Sequence, residues 1–206
     1  MSAHPSDTDT IYLDLMIEIK ERLQAIHRCR IQEIAEPMFQ NAYLAAEFVL
    51  VQLRMICEMI AVGCIVAHEL DPRSDLKNEH SASRIFYELE KLKPEYFPGP
   101  VQAVTNPKTG VINYEPQANA ITRQELKALY ERCNDLIHRI KWKEAVARKR
   151  RIYPTDYFFE CAGKIANLLD THLIKIAFPE KMIRVTMNGP TGAVHWDILS
   201  RDPAAP

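Results

Sequence analysis

Residues 44–67, LAAEFVLVQLRMICEMIAVGCIVA, constrain the fold more than any other stretch of this chain. They are apolar almost all round a helix, so the segment has little solvent face to offer and must be surrounded by other elements. Its length would span a bilayer. Glu47, Gln52, Arg54 and Glu58 interrupt it, however, and a charge near the bilayer centre costs about 2.5–3.5 kcal/mol. The longest uninterrupted apolar run, Met59 to Ala67, is too short to cross. The segment predicts a buried helix, from residue 41 to 69, against which the others pack, and no membrane partner. Arg54 and Glu58 stand one turn apart within it, and charges there are costly unless paired. They read either as a pair that orients packing or as a supporting polar patch that opens onto a functional groove.

The rest of the chain supplies the partners of that helix. Apolar residues recur with helical period at Tyr12, Leu15, Met16, Ile19, Leu23 and Ile26, predicting a helix over 11–35 that Pro37 ends. After the Asp71-Pro72 break, a shorter helix carries Ile85, Phe86 and Leu89 to residue 92. Residues 93–121 contain Pro94, Pro98, Pro100, Pro107 and Pro116 with Gly99 and Gly110, and predict a long irregular connection. Thr122-Arg-Gln-Glu125 has the pattern of a capping box, in which Thr122 and Glu125 satisfy each other's free amide groups. It opens a fourth helix running to residue 148. Pro154 and Thr155 start a fifth, with Phe158, Cys161, Ile165, Leu168, Leu169, His172 and Ile176 on one stripe.

The pattern changes beyond Pro179. MIRVTMN, GPTG and AVHWDIL read as two short strands around a Gly/Pro turn, a hairpin that must pack on the helices or pair with another chain. The expected fold class is therefore mainly α, a bundle of about five helices with a C-terminal β-hairpin. The helical domain would cover residues 1–178 and the hairpin 179–206. His195-Trp196-Asp197 reads as alternating strand residues with a packing role.

Charge and cysteine usage exclude some functions. The net charge is -1, from 26 basic and 27 acidic residues, so a nucleic acid would have to meet a local patch rather than a global field. The five cysteines, Cys29, Cys57, Cys64, Cys133 and Cys161, form no CxxC spacing and lie among apolar neighbours, which predicts buried reduced thiols. The polar start, MSAHPSDTDT, has no apolar core of a secretory signal and predicts a cytoplasmic protein.

A local patch does exist on the fourth helix. On a helical wheel, Leu126, Leu129, Tyr130, Cys133, Leu136, Ile137 and Ile140 face one way, and Arg132, Asp135, His138 and Arg139 the other. Asp135 is three residues from both Arg132 and His138. A carboxylate beside an imidazole sets its tautomer and favours its charged form, which suits a general acid or base. An arginine offers a planar fork for phosphate, and Trp142, a turn on, can stack on a base. Residues 139–151, RIKWKEAVARKRR, hold seven basic residues against one acidic. Arg139, Lys141, Trp142, Lys143, Arg148 and Arg150 are accordingly candidate nucleic-acid contacts. The same residues also fit a solvated helix face whose cations complement the helix C-terminus.

Arg132-Cys-Asn-Asp-Leu-Ile-His138 resembles the Arg, four-to-six residues, His motif of the HEPN superfamily. That family often has a polar residue directly after its arginine; here Cys133 stands there and Asn134 follows. The resemblance covers residues 40–178 and implies a helical bundle, a homodimer and, in many members, metal-independent RNA cleavage in bacterial defence or toxin–antitoxin systems. It implies His138 as general acid/base, Arg132 stabilising phosphate charge, Asp135 orienting His138, and Asn134 donating to phosphate. The chain also resembles a group of bacterial proteins from which no activity carries over. Asp135-x-x-His138 has the carboxylate spacing of di-iron bundles, but these need a second such motif, so no metal and no cofactor is expected. Two readings follow: a homodimeric HEPN-like ribonuclease, or a non-catalytic helical protein that uses the same face to bind a protein partner.

Overall fold

The central helix is α2 (Ala42–Ala67), capped by the Asn41 side chain, which accepts from the Tyr43 amide at 2.9 Å. The computed structural model describes residues 7–35, 41–68, 79, 81–138, 152–175 and 181–200. By length and hydropathy α2 could cross a bilayer, yet more than half of its most apolar window is buried inside the protein. Leu50, Leu53, Ile56, Cys57 and Ile60 are wholly enclosed. Around α2 lie α1 (Asp7–Ala35), α3 (Ala82–Leu92), α4 (Arg123–His138) and α5 (Thr155–Leu169). α1 buries Tyr12, Met16, Ile19 and Ile26, with Leu15 and Leu23 packed partly against the core. This is the stripe its periodicity calls for.

Gly63 shows why the α1–α2 crossing is tight. A Cβ there would lie 3.2 Å from the Tyr12 ring, so the glycine makes room for an aromatic side chain rather than for a turn. Tyr12 uses that room to reach His172 Nε2 at 2.8 Å, and His172 Nδ1 bonds the Leu169 carbonyl at 3.0 Å. Both side chains are buried, and burial pulls the His172 imidazole down to about 4.

The mainly α expectation, a helical bundle with a C-terminal hairpin, is corrected by a five-stranded sheet. Its strands are β1 (Gly99–Thr105), β2 (Ile112–Pro116), β3 (Thr171–Lys175), β4 (Lys181–Thr186) and β5 (His195–Ser200), in the order β2-β1-β3-β4-β5. Every neighbouring pair is antiparallel. The Pro-rich connection expected to be irregular holds β1 and β2. Pro94 and Pro98 precede β1, Pro107 falls in the β1–β2 turn, and only Pro100 and Pro116 stand in strands, each near a strand end. In that turn Gly110 takes φ +70°, and Asn106 Oδ1 accepts from the Lys108 amide at 2.9 Å.

The fifth helix is also shorter than its stripe suggests. It stops at Leu169, and after Asp170 the chain becomes β3, with His172 and Ile174 buried. Positions 165, 169, 172 and 176 satisfy a helical period, but 172 and 174 equally satisfy a strand's alternation. Hydrogen bonding to β1 and β4 decides for the strand.

The C-terminal hairpin is present as β4 and β5 and is stitched into the sheet through β3. One sheet face meets the helices through His172, Ile174 and Val185, with Ile183 and Trp196 packed against the core. The other carries Arg184, which pairs with Asp197 and lies over the Tyr114 ring, while His195 Nε2 reaches Asp197 at 3.1 Å. Lys20 of α1 anchors the β4–β5 connection by donating to the carbonyls of Met187, at 2.8 Å, and Gly192.

Candidate functional site

α4 begins with the expected capping box: the Thr122 amide donates to Glu125 Oε2 at 2.8 Å and the Glu125 amide to Thr122 Oγ1 at 3.2 Å. This start sets the rotation of the whole helix. Leu126, Leu129, Tyr130 and Cys133 are buried, Leu136 and Ile137 partly so, and Arg132 and Asp135 are exposed.

The four residues expected to act together do not share one flank. At about 100° per residue, Arg132 and Asn134 fall about 160° apart, with Asp135 on the crest between them. Arg132 leans toward α5, where its guanidinium carbon sits 4.4 Å from the centroid of the Tyr157 ring, a cation–π contact that holds the charge flat at the surface. Burial raises the Tyr157 phenol above its ordinary value, against the opposing charge of Arg132.

Asn134 lies on the other flank of α4, one turn beyond Tyr130, whose hydroxyl donates to Glu58 Oε1 at 3.3 Å. Glu58 also pairs with Arg54, at 3.1 Å. Two of the charged residues of the apolar helix, both only partly buried, thus meet each other, and through Tyr130 they meet α4 as well. Burial pushes the neighbouring Cys133 thiol up to about 12, with Arg54 and Arg132 pulling the other way.

Among the described residues, Arg54 Nε on α2 and Asn134 Oδ1 on α4 are both buried with no hydrogen-bond partner. An unmet buried polar group costs about 1–3 kcal/mol, and native interiors keep few of them. One is a donor and the other an acceptor.

His138 ends the described part of α4, about 40° round the axis from Asn134. Its side chain lies outside the described residues, as do Arg139, Lys141, Trp142, Lys143, Arg148 and Arg150. The described geometry therefore joins Arg54, Glu58 and Tyr130, and separates Arg132, which joins Tyr157. Tyr130 and Tyr157 were not singled out in the sequence. Tyr130 counts as a core residue by periodicity, and nothing in the sequence links position 132 to 157.

Other chemistry is less well furnished. All five cysteines are buried and in no disulfide, and burial drives Cys57 well above its ordinary value and Cys64 up to about 12. None of Cys57, Cys64, Cys133 and Cys161 offers a ready thiolate. Among the described residues no three His, Cys, Asp or Glu side chains are grouped to hold a metal. Set against known proteins, the chain matches no family model, no curated protein and no solved structure.

Proposed function

We propose that the chain is a metal-independent ribonuclease that acts as a homodimer, with the α2–α4 seam and the crest of α4 as its working edge. The observation that carries this reading is the pair of orphaned polar atoms, Arg54 Nε and Asn134 Oδ1. A ribose phosphate complements both, since a phosphate oxygen accepts from Arg54 and a ribose hydroxyl donates to Asn134. His138, the next turn along, serves as general base for the 2′-hydroxyl. The 2′-oxygen attacks phosphorus, the bond to the 5′-oxygen breaks, and the proton taken by His138 is returned to that leaving oxygen. The product carries a 2′,3′-cyclic phosphate. Arg132, held on Tyr157, meets the phosphate of a neighbouring nucleotide, and Asp135 orients His138.

A row on α2 supports the dimer. Leu44, Val51 and Val62 are exposed, and Phe48 and Met55 are only partly buried; positions 44, 48, 51 and 55 keep the alternating spacing of four and three that lets two helices interlock, and Glu58 takes the next place before Val62. The row runs beside Arg54 and includes Glu58, so pairing along it brings two seams toward one two-fold axis.

Labelled RNA incubated with the protein in EDTA is expected to be cut, and His138→Ala to abolish cutting while leaving the circular dichroism unchanged. If wild type and variant are equally inert on several RNAs, the reading fails. The same α2 row also favours a second reading, a non-catalytic interaction protein. That reading predicts a dimer, or a complex with another protein, without any RNA cleavage.

A further inference from the structure

A cavity of about 550 Å³ opens between α1, α5 and the end of β4, away from the α4 edge. That volume is in the range of sites for nucleotide-sized molecules. Its floor is apolar and low: Ala162, Gly163 and Ala166 of α5 leave the space that larger side chains would fill. Its rim is basic. Lys20, Arg28 and Arg30 line it, against a single acid, Asp170, in a chain whose overall charge is -1.

Gly163 separates this cavity from an accident of packing. A glycine inside a helix costs about 1 kcal/mol relative to alanine. Gly63 has a packing reason for that cost, because a Cβ there would press on the Tyr12 ring at 3.2 Å. Gly163 has none: its Cβ would meet nothing within 4 Å, and its conformation does not demand glycine. What its missing side chain preserves is the open space of the cavity. Two further features suit a bound ligand. The Arg30 guanidinium already lies 5.5 Å from the centroid of the Phe159 ring at the cavity wall, a cation–π contact that keeps it at the rim. Lys20 ties the cavity's far wall to α1 through the carbonyls of Met187 and Gly192.

We infer that this cavity binds a nucleoside monophosphate or an organic phosphate of like chemistry. The flat ring lies on the Gly163–Ala166 floor, the phosphate sits against the Arg30 guanidinium, with Arg28, about 160° round α1, adding charge at the opposite rim, and Asp170 accepts from the sugar hydroxyls. The charge, the apolar floor and the lone carboxylate each match one part of such a molecule. Inorganic phosphate would leave the floor empty, and a nucleoside would leave the rim unused.

Isothermal titration of the full chain with AMP, GMP, CMP and UMP tests this, with adenosine and inorganic phosphate as separate arms. At least one nucleotide is expected to bind with Kd below about 1 mM, at least tenfold tighter than adenosine or inorganic phosphate, and more weakly as salt rises. Gly163→Leu fills the cavity and is expected to weaken binding at least tenfold. Gly163→Ala, which leaves most of the space, is expected to raise the Tm and keep binding. Arg28→Gln and Arg30→Gln, both at exposed positions, are each expected to weaken nucleotide binding about tenfold, or about 1.4 kcal/mol. No binding by the wild type overturns the inference. So does nucleotide binding that Gly163→Leu leaves unchanged, or inorganic phosphate binding as tightly as the nucleotides. The readout involves no RNA cleavage, so its failure leaves the α4 edge untouched.

Discussion

Two of the regions where this molecule sets polar side chains against its core differ in how completely those groups are paired. Where α1, α2 and β3 meet, the Tyr12–His172 pair is closed. The Leu169 carbonyl can only accept, so His172 Nδ1 carries the proton and Nε2 accepts from the Tyr12 hydroxyl. At the α2–α4 seam the Arg54–Glu58–Tyr130 chain is open, because Arg54 Nε and Asn134 Oδ1 have no partner. A closed pair welds elements together; an open one keeps hydrogen-bonding capacity that only a ligand or water can use. The difference teaches that burial alone does not mark a site.

The closed pair is the one whose loss should hurt the fold most. His172→Ala leaves a cavity and an unpartnered Tyr12 hydroxyl and is expected to cost about 4 kcal/mol by urea denaturation. A cost below about 1 kcal/mol would remove the contrast with the seam. Titration should act on the same residue. Burial lowers the His172 pKa from 6.5 to about 4, so the unfolded chain takes up the proton first. Stability is then full above pH 6.5 and falls as the pH drops toward 4, by on the order of 3 kcal/mol. His68, also lowered by burial, acts in the same direction. Melting curves from pH 7 to 4 should show the decline, and His172→Phe should flatten it.

Between the extremes lies the Thr122–Glu125 box, satisfied but exposed. Thr122→Ala is expected to cost about 1 kcal/mol, read by the same denaturation. The smallest effect on stability should come from the seam itself. Asn134→Leu removes an orphan and is expected to leave stability within about 1 kcal/mol of wild type, or to raise it, while RNA cleavage falls at least tenfold. A large loss of stability from Asn134→Leu would show that the seam is closed after all, by a group of the protein itself.

The helices were legible because each shows an apolar stripe or, in α2, an apolar surface almost all round. α1 and α4 turn the expected faces inward, and the capping box starts α4 where its sequence pattern begins. The strands were less legible, for two physical reasons. β1 and β2 are mostly exposed along their length, so no buried face imposes the alternation by which a strand is recognised. β3 is short, and its buried His172 also completes a helical stripe. The candidate site was legible in part. The Arg54–Glu58 pair and the outward face of α4 could be read from spacing, but which flank each residue leans toward depends on where α2 and α5 stand. The contacts of Arg132 with Tyr157 and of Glu58 with Tyr130 join residues far apart in the chain, and no local pattern encodes them.

β3 has a consequence for how the chain is made. It is the middle strand of the sheet, flanked by β1 and β4, yet it is translated after β1 and β2 and all of α4 and α5. The first hairpin therefore emerges from the ribosome with one ladder edge open, and an isolated two-stranded hairpin is marginal in water. Until residue 171 is synthesised, that edge can recruit strands from other chains. A ribosome stalled between 117 and 170 leaves the nascent protein at its most aggregation-prone, and the five residues of β3 end that exposure.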